Sequence, residues 1–302
     1  MSNSIFCSPT HFKVVVGDAD SRTVRIQDFG EEILPTGGMI NSIITDEDIM
    51  TRFFSEMGAK YGFARNQTLL VIDSNNIQTK IIDVPAVSDI KVLEFIKRSF
   101  NQYSDAVTDD VYDFTVLNPR AESGGVSVLA VSVNKQMLQT YKSVLIGAGY
   151  DLKSVNVGVN TQIKLAKFLP QLKEGTYVFT QIDGRNLSVS LFENGNFRIV
   201  NKSRMVQQEN SAEWFSEIGN AISSMQQFSK SQRSNLNITT AYFAGLYANQ
   251  IAQLAANLTH LGIDIRELNF PDSVRLEGKA AQKGEYFNPG KFLLNIGNLL
   301  KK

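Results

Sequence analysis

The run VVVGDADSRTVRI, residues 14–26, sets three β-branched residues before an acidic turn and resumes apolar alternation at Val24 and Ile26. A strand pattern that breaks at turn-forming residues and returns with period two predicts a β-hairpin. The same pattern recurs half a chain later in YVFTQIDGRNLSVSLFENG, residues 177–195. Aligned on the turns, Asp183 falls on Asp20, Gly184 on Ser21, Arg185 on Arg22, Leu187 on Val24 and Val189 on Ile26. Two such units half a chain apart predict a molecule of two similar halves, although Asp, Gly and Ser also favour turns for purely local reasons.

Between the hairpins the period changes repeatedly. TDEDIMTRFFSEM places Ile49, Phe53 and Met57 four apart behind Thr45, which predicts an amphipathic helix with Thr45 as its N-cap. TLLVIDSNNIQTKIIDV predicts a further hairpin turning at residues 73–76. SDIKVLEFIKRSF predicts a helix capped by Ser88, with Ile90, Leu93, Ile96 and Phe100 on one face. VYDFTVL and VSVLAVSV predict strands, and NKQMLQTYKSVLIGAG a helix stopped by Gly147 or Gly149. The order strand, helix, strand, strand, helix predicts a small α+β unit at about residues 85–149, inserted in the first half.

Beyond Gly195 come a strand at residues 197–200 and a long helix with Trp214, Ile218, Ile222 and Met225 at helical spacing. A strand, Gly245 and another helix follow. The closing run NPGKFLLNIGNLLKK puts Phe292, Ile296, Leu299 and Leu300 on one face. Its basic fringe of Lys291, Lys301 and Lys302 is thin for a membrane-surface helix, so a packed core helix is the favoured reading.

Composition narrows the class. The 302 residues carry 30 Lys+Arg and 30 Asp+Glu, so no overall basic field points to nucleic acid or anionic lipid. The single cysteine, Cys7, excludes an intrachain disulfide and is expected in a loose N-terminal end. His11 and His260 stand far apart without cysteine neighbours, which gives no zinc pattern. The N-terminus has neither the charged nor the apolar region of a secretory signal, and no apolar run approaches the roughly 20 residues of a membrane helix. A soluble intracellular protein is expected.

The order of these pieces is similar to the actin-like ATPase superfold, and the detail resembles the PilM family of type IV pilus assembly. EEILPTGGMINSIITDEDI (residues 31–49) resembles that family's segment after the first hairpin. IIDVPAVSDIKVLEFIKRSF and VLAVSVNKQMLQTYKSVLIGAGYDLKSVNV resemble the entry to and exit from its inserted subdomain, and FLLNIGNLL its closing helix. The likeness runs from about Phe12 to Leu300 and rests on the order of all these segments. It implies an α/β, two-lobed actin-like (ribonuclease H-like) fold. The first lobe would span residues 1–175 with the subdomain at about 85–149, and the second 176–302, its last helix (about 289–300) packing back on the first.

The resemblance also implies a nucleotide cleft, and here the sequence departs from it. The family's first phosphate turn reads Asp-x-Gly-Ser with a lysine beyond it; the matching residues are Asp18, Asp20, Ser21 and Arg25, with Asp20 in place of glycine. The second turn becomes Gln181, Asp183 and a displaced Gly184, and the paired glycines of the adenosine turn are reduced to Gly245 before Leu246 and Tyr247. An aspartate at a phosphate turn repels by roughly 4 kcal/mol at 4 Å in an effective dielectric near 20. By itself each acidic turn is also explained as an Asx-type hairpin turn. The expectation is therefore no bound cofactor and no metal, with Asp18 holding magnesium only if Mg-ATP binds.

The function implied is a non-catalytic or weakly nucleotide-binding adaptor, cytoplasmic and at the inner face of the cell membrane. Its expected partner is the cytoplasmic N-terminal tail of a PilN-like single-pass membrane protein, held in a groove between the first lobe and its subdomain, alongside other pilus assembly proteins and no nucleic acid. The alternatives are a working ATPase or kinase of the same superfold, supported by Asp18, Ser21 and Arg25, and the cytoplasmic actin-like component of a type II secretion platform.

Overall fold

The computed structural model describes residues 1–101, 109–121, 124–231, 236–270, 272–283 and 287–301. Lys302, named above in the basic fringe, lies outside the described residues.

The chain opens with a three-stranded antiparallel meander: β1 (Ser2–Cys7), β2 (His11–Ala19) and β3 (Val24–Ile33). A small ribbon of β4 (Met39–Ile40) and β5 (Ile43–Ile44) leads to α1 (Glu47–Tyr61). The N-cap of α1 is Asp46, whose side chain accepts from Ile49 N, and not Thr45, whose hydroxyl donates to Gly37 O. Strand β6 (Thr68–Ile72) then pairs in parallel with β1. The predicted hairpin at residues 73–76 does not form: β7 (Gln78–Val84) leaves for another sheet, where it pairs with β9.

That second, small sheet has the order β7-β9-β8, with β8 at Asp110–Asn118 and β9 at Val126–Asn134. Helix α2 (Asp89–Asn101) covers one of its faces, burying Val92, Ile96 and Phe100. Ile90, predicted on that face, points to solvent at 74% exposure. Helix α3 (Lys135–Gly147) instead buries Tyr141, Val144 and Leu145 in the first-lobe core. It stops where Gly149 takes φ +90°. The inserted unit thus starts at β7, before Pro85, and α3 packs outside it.

Strand β10 (Leu152–Val157) pairs in parallel with β6 and runs into α4 (Gly158–Phe168). The second lobe repeats the plan: a meander of β11 (Tyr177–Asp183), β12 (Asn186–Glu193) and β13 (Asn196–Arg204), then α5 (Ala212–Ser231), β14 (Thr240–Ala244), α6 (Ala248–Asn257) and β15 (Asp264–Glu267). Trp214, Ile218, Ile222 and Met225 of α5 are all buried in its core. The chain then returns to the first lobe. Strand β16 (Val274–Leu276) pairs with β3, and after the short α7 (Gly278–Gln282), α8 (Leu293–Leu299) packs on β1, β2, β6 and α4. Every residue of α8 is buried, so it is a core element.

The five central strands run β3-β2-β1-β6-β10 in the first sheet and β13-β12-β11-β14-β15 in the second. The order is the same in both. It rests on β1, which the sequence pattern did not reveal: SNSIFC carries Asn3 and Ser4, both fully buried. Asn3 exchanges hydrogen bonds with the backbone of Ala64, and Ser4 donates to Asn295 O, so the polar groups are satisfied inside the core. Cys7 closes β1 at 2% exposure, not in a loose end, and burial pushes its thiol up to about 12.

Candidate functional site

The matched order of the two sheets fixes which turns are equivalent. The β11–β12 turn, with Asp183 and Gly184, corresponds to the β1–β2 turn of Ser8, Pro9 and Thr10. The β2–β3 turn, with Asp20 and Ser21, corresponds instead to Asn194 and Gly195 between β12 and β13. The pairing of Asp20 with Asp183 is therefore corrected. The expected match overlooked β1 and so was one hairpin out of step. Asp183 meets Lys13 near the start of β2, whereas Asp20 follows its end, roughly 24 Å further along at 3.4 Å per residue.

The cleft between the lobes encloses about 190 Å³, lined among others by Pro9, Asp73, Ser74, Asn186, Ser188 and Lys202. Two ion pairs join the lobes, the second of them at this cavity. Lys13 of the first lobe donates to Asp183 of the second at 2.5 Å, and Lys202 of β13 pairs with Asp73 after β6. The turn facing Asp183 has no N–H aimed outward. Ser8 N donates to His11 O, the N–H groups of Thr10 and His11 point to Ser8 Oγ, and Pro9 has none. Gln181 is turned inward, its Oε1 accepting from Gln162, which in turn accepts from Ser190. Gly245 sits at φ +91°, where a Cβ would collide with Ile182 O; the tight turn onto β11 accounts for this glycine. Beside it Lys291 donates to Tyr247 Oη at 2.7 Å. Phosphate binding at such turns requires converging free N–H groups, and those of the Ser8–Thr10 turn are engaged within the turn itself.

The remaining expected residues gather at the β2–β3 turn. Arg25 donates to Asp18 through Nε and Nη2, at 2.9 and 2.6 Å, and to Asp20 through Nη1 at 2.7 Å. Asp20 Oδ1 also accepts from the N–H groups of Arg22 and Thr23. The Arg22 N–H bond first, then the Arg25 bond and the Thr23 N–H bond, lower the Asp20 carboxyl to about 2.

This turn borders a different and larger space. A groove of about 790 Å³ runs between the small sheet and the body of the first lobe. Asp20 and Ser21 close one end; Asp89 and residues 113–116 of β8 form one wall; Asn160, Ile163, Lys164, Lys167 and Phe168 of α4, with Leu300 and Lys301, form the other. An apolar pocket of about 230 Å³, with Val131, Val133, Leu138, Val155 and Val157, continues behind β8. A chain of side-chain hydrogen bonds holds the walls together. Thr115 Oγ1 donates to Asn160 Oδ1 (3.0 Å), Asn160 Nδ2 to Asn156 Oδ1 (2.7 Å), Asn156 Nδ2 to Asn298 Oδ1 (2.8 Å) and Asn298 Nδ2 to Ser4 Oγ (3.3 Å). The sequence reading missed these asparagines. Their visible signal was Asn295 and Asn298 inside the otherwise apolar FLLNIGNLL.

Among the described residues no helix is long and apolar enough to cross a membrane. No protein-family model matches the chain, and no curated protein matches it in sequence. Solved structures do match. The PilM-PilN type IV pilus biogenesis complex aligns at TM-score 0.76 over 99% of this chain and 97% of that chain, with 14% identity. A Bacteroides thetaiotaomicron protein with actin-like ATPase fold and unknown function aligns at 0.59 over 97% and 95%, with 12% identity. The cytoplasmic domain of EpsL, an inner membrane component of the type II secretion system of Vibrio cholerae, aligns at 0.50 over 99% and 95%, with 10% identity. The chain has the two-lobed actin-like ATPase fold. Over nearly its whole length it is similar to a pilus-biogenesis structure, and its groove beside the small sheet exceeds the interlobe cavity in volume.

Proposed function

We propose that this chain is a non-catalytic actin-like adaptor of a type IV pilus assembly machine, resting at the cytoplasmic face of the inner membrane. In this reading it binds the N-terminal cytoplasmic tail of a PilN-like single-pass membrane protein in the groove beside β8. The observation that carries it is the contrast between the two cavities: an open, apolar-backed groove of about 790 Å³ and an interlobe space of about 190 Å³ bordered by the Lys202–Asp73 ion pair. A groove of that size suits a peptide, and in this reading the interlobe cleft holds no nucleotide. The likeness to the PilM-PilN complex supports the pilus assignment over the secretion platform, whose EpsL domain aligns less closely. A photo-crosslinking residue at Val116, on the groove wall, tests the reading in living cells. The expected product joins Val116 to the N-terminal tail of a single-pass inner-membrane protein; crosslinks confined to soluble proteins overturn it. ATP with magnesium is expected to leave the melting temperature unchanged, since a ligand at a thousand times its Kd stabilises by about 4 kcal/mol and would show.

A further inference from the structure

We propose that the groove takes its partner as an added β-strand on the free edge of β8; this rests on the reading above and names the mode of binding. Among the described residues the small sheet ends at β8, which pairs with β9 on one side and borders the groove on the other. Four consecutive residues, 113–116, line that groove. Successive side chains of a strand point to opposite faces, so a strand that shows four in a row shows its edge, main chain included.

The edge carries a donor held in reserve. Phe114 N donates to the carboxylate of Asp113 at 2.8 Å, outside the ladder with β9. In an antiparallel strand the N–H and C=O of one residue point to the same side, so Phe114 offers both to the groove. Asp113 occupies the donor that a partner strand would take, and a charge on an edge also deters indiscriminate pairing. Main-chain pairing with such an edge, with side-chain pockets for alternate residues, is a general mode of peptide capture.

The walls specify the occupant. Its side chains alternate between the α4 wall, where Ile163 and Phe168 lie beside Lys164 and Lys167, and the opposite wall, which bears Asp89. The fitting segment is an extended stretch of a partner protein with apolar residues at alternate positions and an acidic residue at the end near Lys167 and Lys301.

The test uses peptides selected on the immobilised full chain from a random display library, then N-methylated at one amide at a time. Methylation removes a main-chain donor while keeping every side chain. Strand addition predicts losses of about tenfold at alternate amides and tolerance between them. It also predicts weaker binding to Lys167→Glu and equal or tighter binding to Asp113→Ala, which frees Phe114 N–H. Peptides lost with Lys167→Glu but lacking an alternating methylation pattern overturn strand addition and leave the groove reading standing. Peptides indifferent to Lys167→Glu, or no selected peptide at all, overturn both. Self-association of the chain through β8 that the peptides fail to disrupt assigns the edge to a second copy and overturns the proposal.

Discussion

At the β2–β3 turn three hydrogen bonds fix the Asp20 carboxylate. Two backbone N–H groups and Arg25 all bind its charged form and hold its pKa at about 2. A group whose folded pKa is depressed contributes stability above its unfolded pKa, near 3.9, and loses it as pH falls through the folded value. The melting temperature of Asp20→Asn is thus expected to lie below wild type at pH 5 and to converge with it as pH approaches 2, and carboxyl NMR titration of Asp20 should report the low pKa directly. Equal melting curves at pH 5 would show that the turn does not depend on the charge. At Gly245 the constraint is steric. Its φ of +91° and the contact with Ile182 O leave no room for a Cβ, so Gly245→Ala is expected to destabilise by at least about 1 kcal/mol in thermal unfolding.

Elements differ in how far local pattern determines them. Helix α1 announces itself through Ile49, Phe53 and Met57, and its start is set by one hydrogen bond, donated by Ile49 N to Asp46 Oδ1 at 2.9 Å. Asp46→Ala is expected to cost about 1 kcal/mol of stability, whereas Thr45→Ala leaves that cap intact; chemical denaturation of the pair checks the assignment. The hairpins at residues 14–26 and 177–195 were legible for the same reason: alternation and turn chemistry are local. What decides the rest is not local. Strand β1 is polar at Asn3 and Ser4 because its neighbours supply partners 61 and 291 residues away. Strands β6 and β7 look like one hairpin, but parallel pairing to β1 draws β6 into the large sheet and β9 captures β7. Missing β1 displaced the first-lobe half of the nucleotide-turn assignment by one hairpin. It left Asp18, Asp20, Ser21 and Arg25 together at a real turn beside the groove, and Gln181, Asp183, Gly184 and Gly245 on the other lobe.

At the scale of the whole molecule the question is whether the two lobes form a hinge or a joint. One face of the second sheet, with Tyr177, Phe179, Phe192 and Phe197, belongs to the same apolar cluster as the first-lobe core. Across the cleft Lys13, with 6% of its side chain exposed, meets Asp183, with 12% exposed. Breaking a buried pair by removing one partner leaves an uncompensated charge and costs about 3–5 kcal/mol, while replacing both partners by apolar groups is often near neutral. Lys13→Met is therefore expected to lower the melting temperature clearly, and Lys13→Met with Asp183→Leu to recover most of the loss. The single change Asp183→Leu should be the milder one, because Lys13 keeps Glu31 at 3.6 Å. Additive losses in the double variant would show that the two side chains are not coupled and that the joint does not rest on them. The same double variant separates two grounds for expecting that nucleotide does not bind. If charge alone excluded nucleotide, removing Asp183 would admit ATP and a thermal shift would appear. If the N–H groups of the Ser8–Thr10 turn are consumed by Ser8 Oγ and His11 O, as the hydrogen bonds show, the variant still gives no shift. The second outcome is expected, because repulsion can be deleted by substitution but a cradle must be built from backbone that here points elsewhere.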